Sequence, residues 1–345
     1  MKIFILTQKV DINDDVLGFF HVWIEEFAKK CEKVTVIALG VGEYNLPENV
    51  KILSLGKEKG RSKFKYLLNF YKYIWRERKN YDAVFVHMNH EYVILGGLVW
   101  RLLGKKIGLW YVHKQVGWGL KLAEKIADVI FTAAAKGFNL KTDKLKVLGH
   151  GIPVDDFKKP GNIKKEGKLT LISVGRVTPI KNLDILIKAA AILKNNGLDF
   201  KVLIVGSPIR TIDDEYFEKL KKLVSDNGLE KVVIFTGSIP NHLIREYYWQ
   251  SDLSVNLCPT GGVDKAVLES MAAGLPVIVS NKAFADYFGD YADSLIFKER
   301  DEIDLSEKIM NLINGDKENM VNLLFKKVKE KSDAKKLIDK ILLEL

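Results

Sequence analysis

Cysteine is nearly absent from the 345 residues: only Cys31 and Cys258 occur. They lie far apart, in a helix-like and a strand-like segment, without disulfide or metal-ligand spacing. A disulfide framework and a zinc site are therefore excluded, and both thiols are expected to be reduced core residues of a cytoplasmic protein. Long apolar runs are missing too. The longest, Tyr92 to Trp100, is stopped by Arg101 and is too short to cross a bilayer. The opening Met1-Lys2-Ile3-Phe4-Ile5 runs straight into a strand pattern and lacks a signal-peptide layout. There is no short repeat and no low-complexity tract. After the first strand, Thr7-Gln8-Lys9-Val10-Asp11 contains no G-x-G-x-x-G loop, which excludes a dinucleotide dehydrogenase. Walker A spacing and the D-x-D tripeptide are likewise absent.

What is present suits two domains of ordinary size, since 47% of the residues are hydrophobic. In the first half, strands are expected at 2–7, 34–39, 50–55, 83–88, 107–112, 129–133 and 145–149. Helices at 15–31, 63–79, 92–103 and 119–127 alternate with them. A polar, Pro- and Gly-broken segment from Asp155 to Lys168 reads as a linker. The pattern then restarts. Strands are expected at 169–174, 200–205, 231–236, 253–257, 276–280 and 294–297, with helices at 182–196, 213–227, 241–250, 264–273 and 303–313. Basic helices at 316–330 and 333–345 close the chain. Alternation of this kind predicts an α/β protein with two doubly wound parallel sheets, whose strand C-termini border a cleft. The expected boundaries are a first domain at 1–157, a linker at 158–168, a second domain at 169–320, and helices at 321–345 that pack back toward the first domain.

Net charge is +10, and all of it lies early: residues 1–160 carry 27 Lys and Arg against 17 Asp and Glu, whereas residues 161–345 carry 27 of each. The asymmetry points to an anionic partner for the first half, or to a solvated surface. Within it, Lys57 to Lys79 interleaves nine cations with Phe64, Tyr66, Phe70, Tyr71, Tyr73 and Trp75. Such a helix could lie on an anionic membrane. The other reading is a packed helix with a basic outer face. No reader motif accompanies the patch, so nucleic acid is not expected as a partner.

The stretch from Pro259 to Val279 is the most structured signal. It reads as a glycine loop, a helix capped by Asp264 and ended by Gly274 and Pro276, and the buried strand Val277-Ile278-Val279. A glycine loop entering a helix gathers free N–H donors, which suits a diphosphate. Glu269, five residues into the helix, is suited to accept from ribose hydroxyls. With no D-x-D, charge on a leaving diphosphate would fall to Arg176, Lys181 and helix N–H groups, so no metal or other cofactor is expected.

These residues resemble the GT-B glycosyltransferases of family GT4 over nearly the whole chain. Gly18-Phe19-Phe20-His21-Val22 is similar to the family's first glycine loop, and Val147-Leu148-Gly149-His150-Gly151-Ile152 to the close of its first domain, with His150 where Asn is common. Val174-Gly175-Arg176 through Lys181-Asn182 resembles the donor-phosphate motif. Val233-Ile234-Phe235-Thr236-Gly237-Ser238-Ile239 resembles the strand and turn that hold the base. Leu268-Glu269-Ser270-Met271-Ala272-Ala273-Gly274-Leu275-Pro276-Val277 is the most specific match.

The resemblance implies two Rossmann-like domains facing across a cleft and a retaining, metal-independent transfer of sugar from a nucleoside diphosphate donor to a glycan or lipid-linked acceptor. It implies catalytic roles for Arg176 and Lys181 at the diphosphate and for His113 beneath the transferred sugar. The donor would be held by Gly18, Gly175, Arg176, Lys181, Gly237, Ser238, Ile239, Gly261, Gly262, Val263, Asp264, Leu268 and Glu269. The protein would be cytoplasmic, or peripheral at the inner face of the membrane if the stretch from Lys57 to Lys79 lies on lipid. One departure stands out: the family often has a second glutamate eight residues before the ribose-binding one, where this chain has Gly261. Asp264 would either substitute for it or only cap the helix. Two alternatives follow, a nucleotide-sugar epimerase of the same fold and a non-catalytic sugar-nucleotide-binding protein.

Overall fold

The computed structural model describes residues 1–60, 62–161 and 167–345. The expected linker falls partly outside them, at 162–166. The chain divides into two compact units: Met1–Gly151 with Pro240–His242 and Asp333–Leu345, and Ile152–Ile239 with Leu243–Ser332.

The first unit runs β1 (Lys2–Val10), α1 (Phe19–Lys30), β2 (Lys33–Val41), β3 (Val50–Ser54), α2 (Lys63–Glu77), β4 (Ala83–His87), α3 (His90–Leu102), β5 (Lys106–Trp110), α4 (Trp118–Ile126), β6 (Val129–Thr132) and β7 (Leu145–Val147). Its sheet has the order β3-β2-β1-β4-β5-β6-β7, and every pairing is parallel. Along β1 the period of two sorts the side chains: Ile3 and Ile5 enter one core, Phe4 and Leu6 the other. Because both faces are covered, the strand reads as an unbroken apolar run rather than an alternating one. Phe20, Trp23 and Phe27 of α1 fill the first core; Phe70 and Ile74 of α2, Val93 and Trp100 of α3, and Leu120 and Ala123 of α4 fill the second. Truncating a side chain such as Phe27 to Ala should cost about 3–5 kcal/mol.

The second unit runs α5 (Val154–Phe157), β8 (Leu169–Val174), α6 (Leu183–Asn195), β9 (Phe200–Val205), α7 (Thr211–Asp226), β10 (Val233–Gly237), α8 (Ile244–Trp249), β11 (Leu253–Asn256), α9 (Lys265–Ala272) and β12 (Val277–Val279). There follow α10 (Ala285–Phe288), α11 (Ala292–Leu295), α12 (Glu302–Asn314) and α13 (Glu318–Lys331). The sheet order is β10-β9-β8-β11-β12, again all parallel. The last helix, α14 (Ala334–Leu343), belongs to the first unit, where Leu337, Ile338 and Ile341 are buried in the core with α1.

Several expectations are corrected here. Val154–Phe157, expected to end the first domain, packs in the second unit: Phe157 is buried beside Tyr248, and its carbonyl accepts from Trp249 Nε1 at 2.7 Å. Residues 321–332 also stay with the second unit, since Leu324 and Val328 of α13 are in its core. The strand expected at 294–297 is absent. Its short apolar run makes one helical turn and a single parallel bridge from Ile296 to Val279, so burial rather than pairing explains the composition.

Candidate active site

In the second sheet, β8 is flanked by β9 on one side and β11 on the other, so the connections leave the sheet in opposite senses at this point. A crevice at the carboxyl ends of such strands is where open α/β sheets place ligands. The sequence delivers glycines to that edge. Gly175, Gly206 and Gly237 follow or end the adjacent strands β8, β9 and β10, with φ of +143°, +139° and +77°. Gly206 N–H donates to the Gly237 carbonyl at 2.9 Å, and Gly175 N–H to the Val205 carbonyl at 2.9 Å. A Cβ on Gly206 would stand 2.0 Å from the Gly175 carbonyl oxygen. The edge is therefore bare backbone, which only glycine allows.

Lys181 lies over this edge. A Cβ on Gly175 would come within 2.9 Å of its Cε. Its Nζ is 2.6 Å from Asp264 Oδ2, an oxygen that also accepts from Asn256 Nδ2 at 3.1 Å and the Cys258 thiol at 3.3 Å. Asp264 Oδ1 accepts from the Ala266 amide at 3.2 Å, so the same carboxylate caps α9. Burial by itself would lower the Lys181 ammonium, but Asp264 outweighs it and holds the group above its usual range. Burial would raise the Asp264 carboxyl; Lys181, Asn256 and the Ala266 amide more than reverse this and hold it well below its usual range. Both are charged at neutral pH. The Cys258 thiol is pushed up to about 11, chiefly by burial, and so is protonated.

The surrounding loops are pinned. Val177 N–H donates to the Ser207 carbonyl at 3.1 Å, leaving Arg176 exposed between two anchored residues. Asn182, left-handed at φ +46°, donates from Nδ2 to the Leu257 carbonyl at 3.0 Å and so ties the loop after β8 to the loop after β11. Asn281 holds the glycine loop at two points: its Oδ1 accepts from Gly261 N–H at 3.3 Å and its Nδ2 donates to the Gly262 carbonyl at 2.8 Å. Glu269 is turned inward and only 6% exposed, with Oε2 accepting from the Tyr248 hydroxyl at 3.3 Å. Lys265, one turn before it, is lowered by burial although Glu269 and Asp264 oppose the shift.

Thus Gly175, Lys181, Asp264, Gly237 and Gly261 gather at one sheet edge, with Arg176 exposed on its pinned loop and Glu269 turned inward on α9. Leu268 does not join them. It is wholly buried in the core of the second unit, because position 268 falls on the inner face of α9. Ile239 and Val263 are half-buried against the same core, and Gly262 is exposed. Gly18 and His113 belong to the first unit. The φ of Gly18 is an ordinary −53°, and its glycine identity has a local cause: a Cβ would stand 2.4 Å from the Asp14 carbonyl oxygen. His113 is exposed beyond β5, edge-on to Tyr111 at 5.6 Å. His87 is a core residue, stacked on Phe20 at 4.1 Å with Nδ1 3.2 Å from Thr7 Oγ1. Sequence reading missed Gly206, Asn256 and Asn281 as site residues. Each ends or closely follows a buried strand, which was the available signal.

Residues 154–332, just over half of the chain, match the family model described as glycosyl transferases group 1. The chain belongs to that family. Among curated members, the amylovoran biosynthesis glycosyltransferase AmsK of Erwinia amylovora is 30% identical over 40% of this chain and 34% of its own length. The GDP-mannose-dependent alpha-(1-6)-phosphatidylinositol monomannoside mannosyltransferase of Mycobacterium tuberculosis is 25% identical over 50% of this chain and 47% of its own. The chain spans about a third to a half of the length of these relatives. Over the whole chain, the Anabaena protein HepE in complex with UDP and glucose superposes with a TM-score of 0.75 at 15% identity, covering 99% of this chain and 98% of that one. At that identity the likeness concerns the fold, the pair of doubly wound units of GT-B glycosyltransferases.

Proposed function

We propose that this group 1 glycosyltransferase moves a sugar from a nucleoside diphosphate donor to an acceptor hydroxyl on a glycan or lipid-linked saccharide, within GT4 and with retention of anomeric configuration. The observation that carries the proposal is the bare glycine edge of β8–β10 beside Lys181, set where the strand order of the second sheet reverses. A backbone platform of this kind lets a pyrophosphate approach the chain closely, and a lysine gives it a point charge.

In this reading Arg176 meets the diphosphate from the open side, and Lys181 reaches it while still paired with Asp264. Asp264 then has a positioning role: it fixes the ammonium over Gly175 and caps α9, whose first amides lie beside the same carboxylate. The departing diphosphate gains charge as the glycosidic bond breaks, and preset cations stabilise it without reorganisation. Because the sequence lacks D-x-D, these cations take the place of a metal ion. Glu269 turns from Tyr248 to the ribose, and His113 keeps the place under the sugar that the family likeness gives it. HepE was captured with UDP and glucose, and the mycobacterial relative is named for GDP-mannose, so both bases enter the donor test.

A thermal-shift panel of UDP-, GDP- and ADP-sugars tests the assignment. The true donor at about a hundredfold its Kd should stabilise the protein by about 2.7 kcal/mol. Lys181→Ala should abolish both that shift and turnover with the far-UV spectrum unchanged; an unaltered shift removes Lys181 from the diphosphate site. Donor conversion without acceptor would instead mark an epimerase. Stabilisation without product under any acceptor would mark a binding protein, the reading favoured by Gly261 in place of a carboxylate.

A further inference from the structure

Ten of the 21 large apolar side chains exposed among the described residues lie on three neighbouring helices, α2, α3 and α4. Chance does not gather them so. On α3 the solvent side carries Leu95, Leu98 and Leu102, spaced as one helical stripe, with Leu98 70% and Leu102 80% exposed. On α2, Phe70 and Ile74 are buried and Tyr66 and Tyr73 half-buried, but Phe64, Leu68 and Trp75 point outward at 69%, 55% and 59% exposure. On α4 the outer residues are Trp118, at 80%, and Leu122.

The three helices make one continuous surface. The Tyr71 hydroxyl donates to the Leu95 carbonyl at 3.0 Å, joining α2 to α3. Arg101 Nη2 donates to the carbonyls of Lys125 and Ile126 at 3.0 and 2.9 Å, joining α3 to α4. Gly97 and Gly119 allow close contact there: a Cβ on Gly97 would sit 2.2 Å from Ile126 Cγ2, and one on Gly119 2.8 Å from His90 Nε2.

Cations border this apolar surface. The helices carry Lys63, Lys65, Lys72 and Arg76 on α2, Arg101 on α3, and Lys121 and Lys125 on α4. Of their three acids, Glu77 is buried in ion pairs with Lys51 and Arg76, Glu124 is half-buried and accepts from Thr142, and Glu91 alone is exposed. Arg78 also lies over the Trp75 ring at 4.4 Å. Exposed aromatics and leucines within a lysine border fit the interface of a negatively charged membrane, where rings sit at headgroup level and cations meet lipid phosphate. A second copy of the chain fits poorly, since a two-fold contact through this face would set like charges opposite one another.

We propose that the outer face of α2, α3 and α4 docks on an anionic lipid bilayer. This rests on the exposed residues of the first unit alone and is independent of the sugar-transfer reading.

Flotation with vesicles of phosphatidylcholine alone, or mixed with phosphatidylglycerol, at about 0.1 M and about 0.5 M salt tests it. The protein should float with the anionic vesicles only, and the higher salt should weaken binding. Trp75→Ser with Trp118→Ser should lower the partition coefficient about tenfold or more, with melting unchanged because both rings are exposed. Lys65→Glu with Lys72→Glu should lower it by about fivefold per lysine. The same charge change on α14, Lys336→Glu with Lys340→Glu, should leave it within about twofold if the docking is local. The proposal is overturned by absence of flotation with anionic vesicles, equal flotation with phosphatidylcholine, or equal loss in the α14 variant. Self-association that the tryptophan variant abolishes, without any vesicle binding, would overturn it in favour of a homodimer.

Discussion

Adding one methyl group to the glycine edge should have effects that differ sharply between neighbours. Gly206→Ala and Gly175→Ala both place a Cβ at a φ near +140°, a strain of about 1–3 kcal/mol each. What the methyl meets then separates them. At Gly206 it lies 2.0 Å from the Gly175 carbonyl oxygen, and backbone cannot swing aside. Relieving the overlap pulls β8 from β9 and breaks Gly175 N–H to Val205, at about 0.5–1.5 kcal/mol, with further repacking of about 1–3 kcal/mol. At Gly175 the obstacle is Lys181 Cε at 2.9 Å, the far end of a flexible side chain. Gly206→Ala should thus cost about 2.5–7.5 kcal/mol and Gly175→Ala about 1–3 kcal/mol. In a unit of this size each kcal/mol moves Tm by about 2–4 °C, so the drops are about 5–30 °C and about 2–12 °C. Thermal melting by circular dichroism reads the difference, and donor thermal shift should vanish in both. A Gly206→Ala protein that melts within about 2 °C of wild type would refute the account, as would equal losses in the two variants.

Two further outcomes follow from the same site. Asp264 titrates below its usual 3.8 in the folded chain, so its share of stability is complete above that value and is lost as pH falls through and below it; Lys181 titrates above 10.5, so its share is complete below 10.5 and is lost only as pH rises past it. The stability gap between wild type and Lys181→Met/Asp264→Asn, measured by urea unfolding, should be flat from about pH 5 to 9 and shrink below about pH 4; a gap that grows on acidification contradicts the pairing. Glu269→Gln keeps a partner for Tyr248 but weakens a charged contact to the ribose, so donor affinity should fall about 10- to 100-fold. A 2′,3′-dideoxy donor should bind wild type and variant alike, and a variant that still prefers the ribose would release Glu269 from that role.

Legibility in the sequence followed the range of the interaction. The run from Asp264 to Val279 could be read because each signal is local: a cap two residues from the amide it satisfies, Gly274 at φ +75°, and three buried apolar residues after a proline. The parallel sheets could be read for the same reason, since strands covered on both faces are continuously apolar. The pairing of Lys181 with Asp264 spans 83 residues and left no spacing to read. Gly206 was visible as a glycine after a strand, yet its meaning needs β8, β9 and β10 side by side. Leu268 is wholly buried in the core, and the helix phase that puts it there is lost when a motif is read as a string. Phe157 looked like linker because its neighbours Asp155, Asp156, Lys158 and Lys159 are charged, and a single aromatic in a polar run carries little weight until its pocket is known.

The return of α14 to the first unit has a consequence for synthesis. Leu337, Ile338 and Ile341 close one side of a sheet whose strands are all translated before residue 148. On the ribosome that side, with Phe20, Trp23 and Phe27 beneath it, waits for nearly two hundred codons before its cover arrives. Within these residues the first unit is thus begun before the second and completed after it.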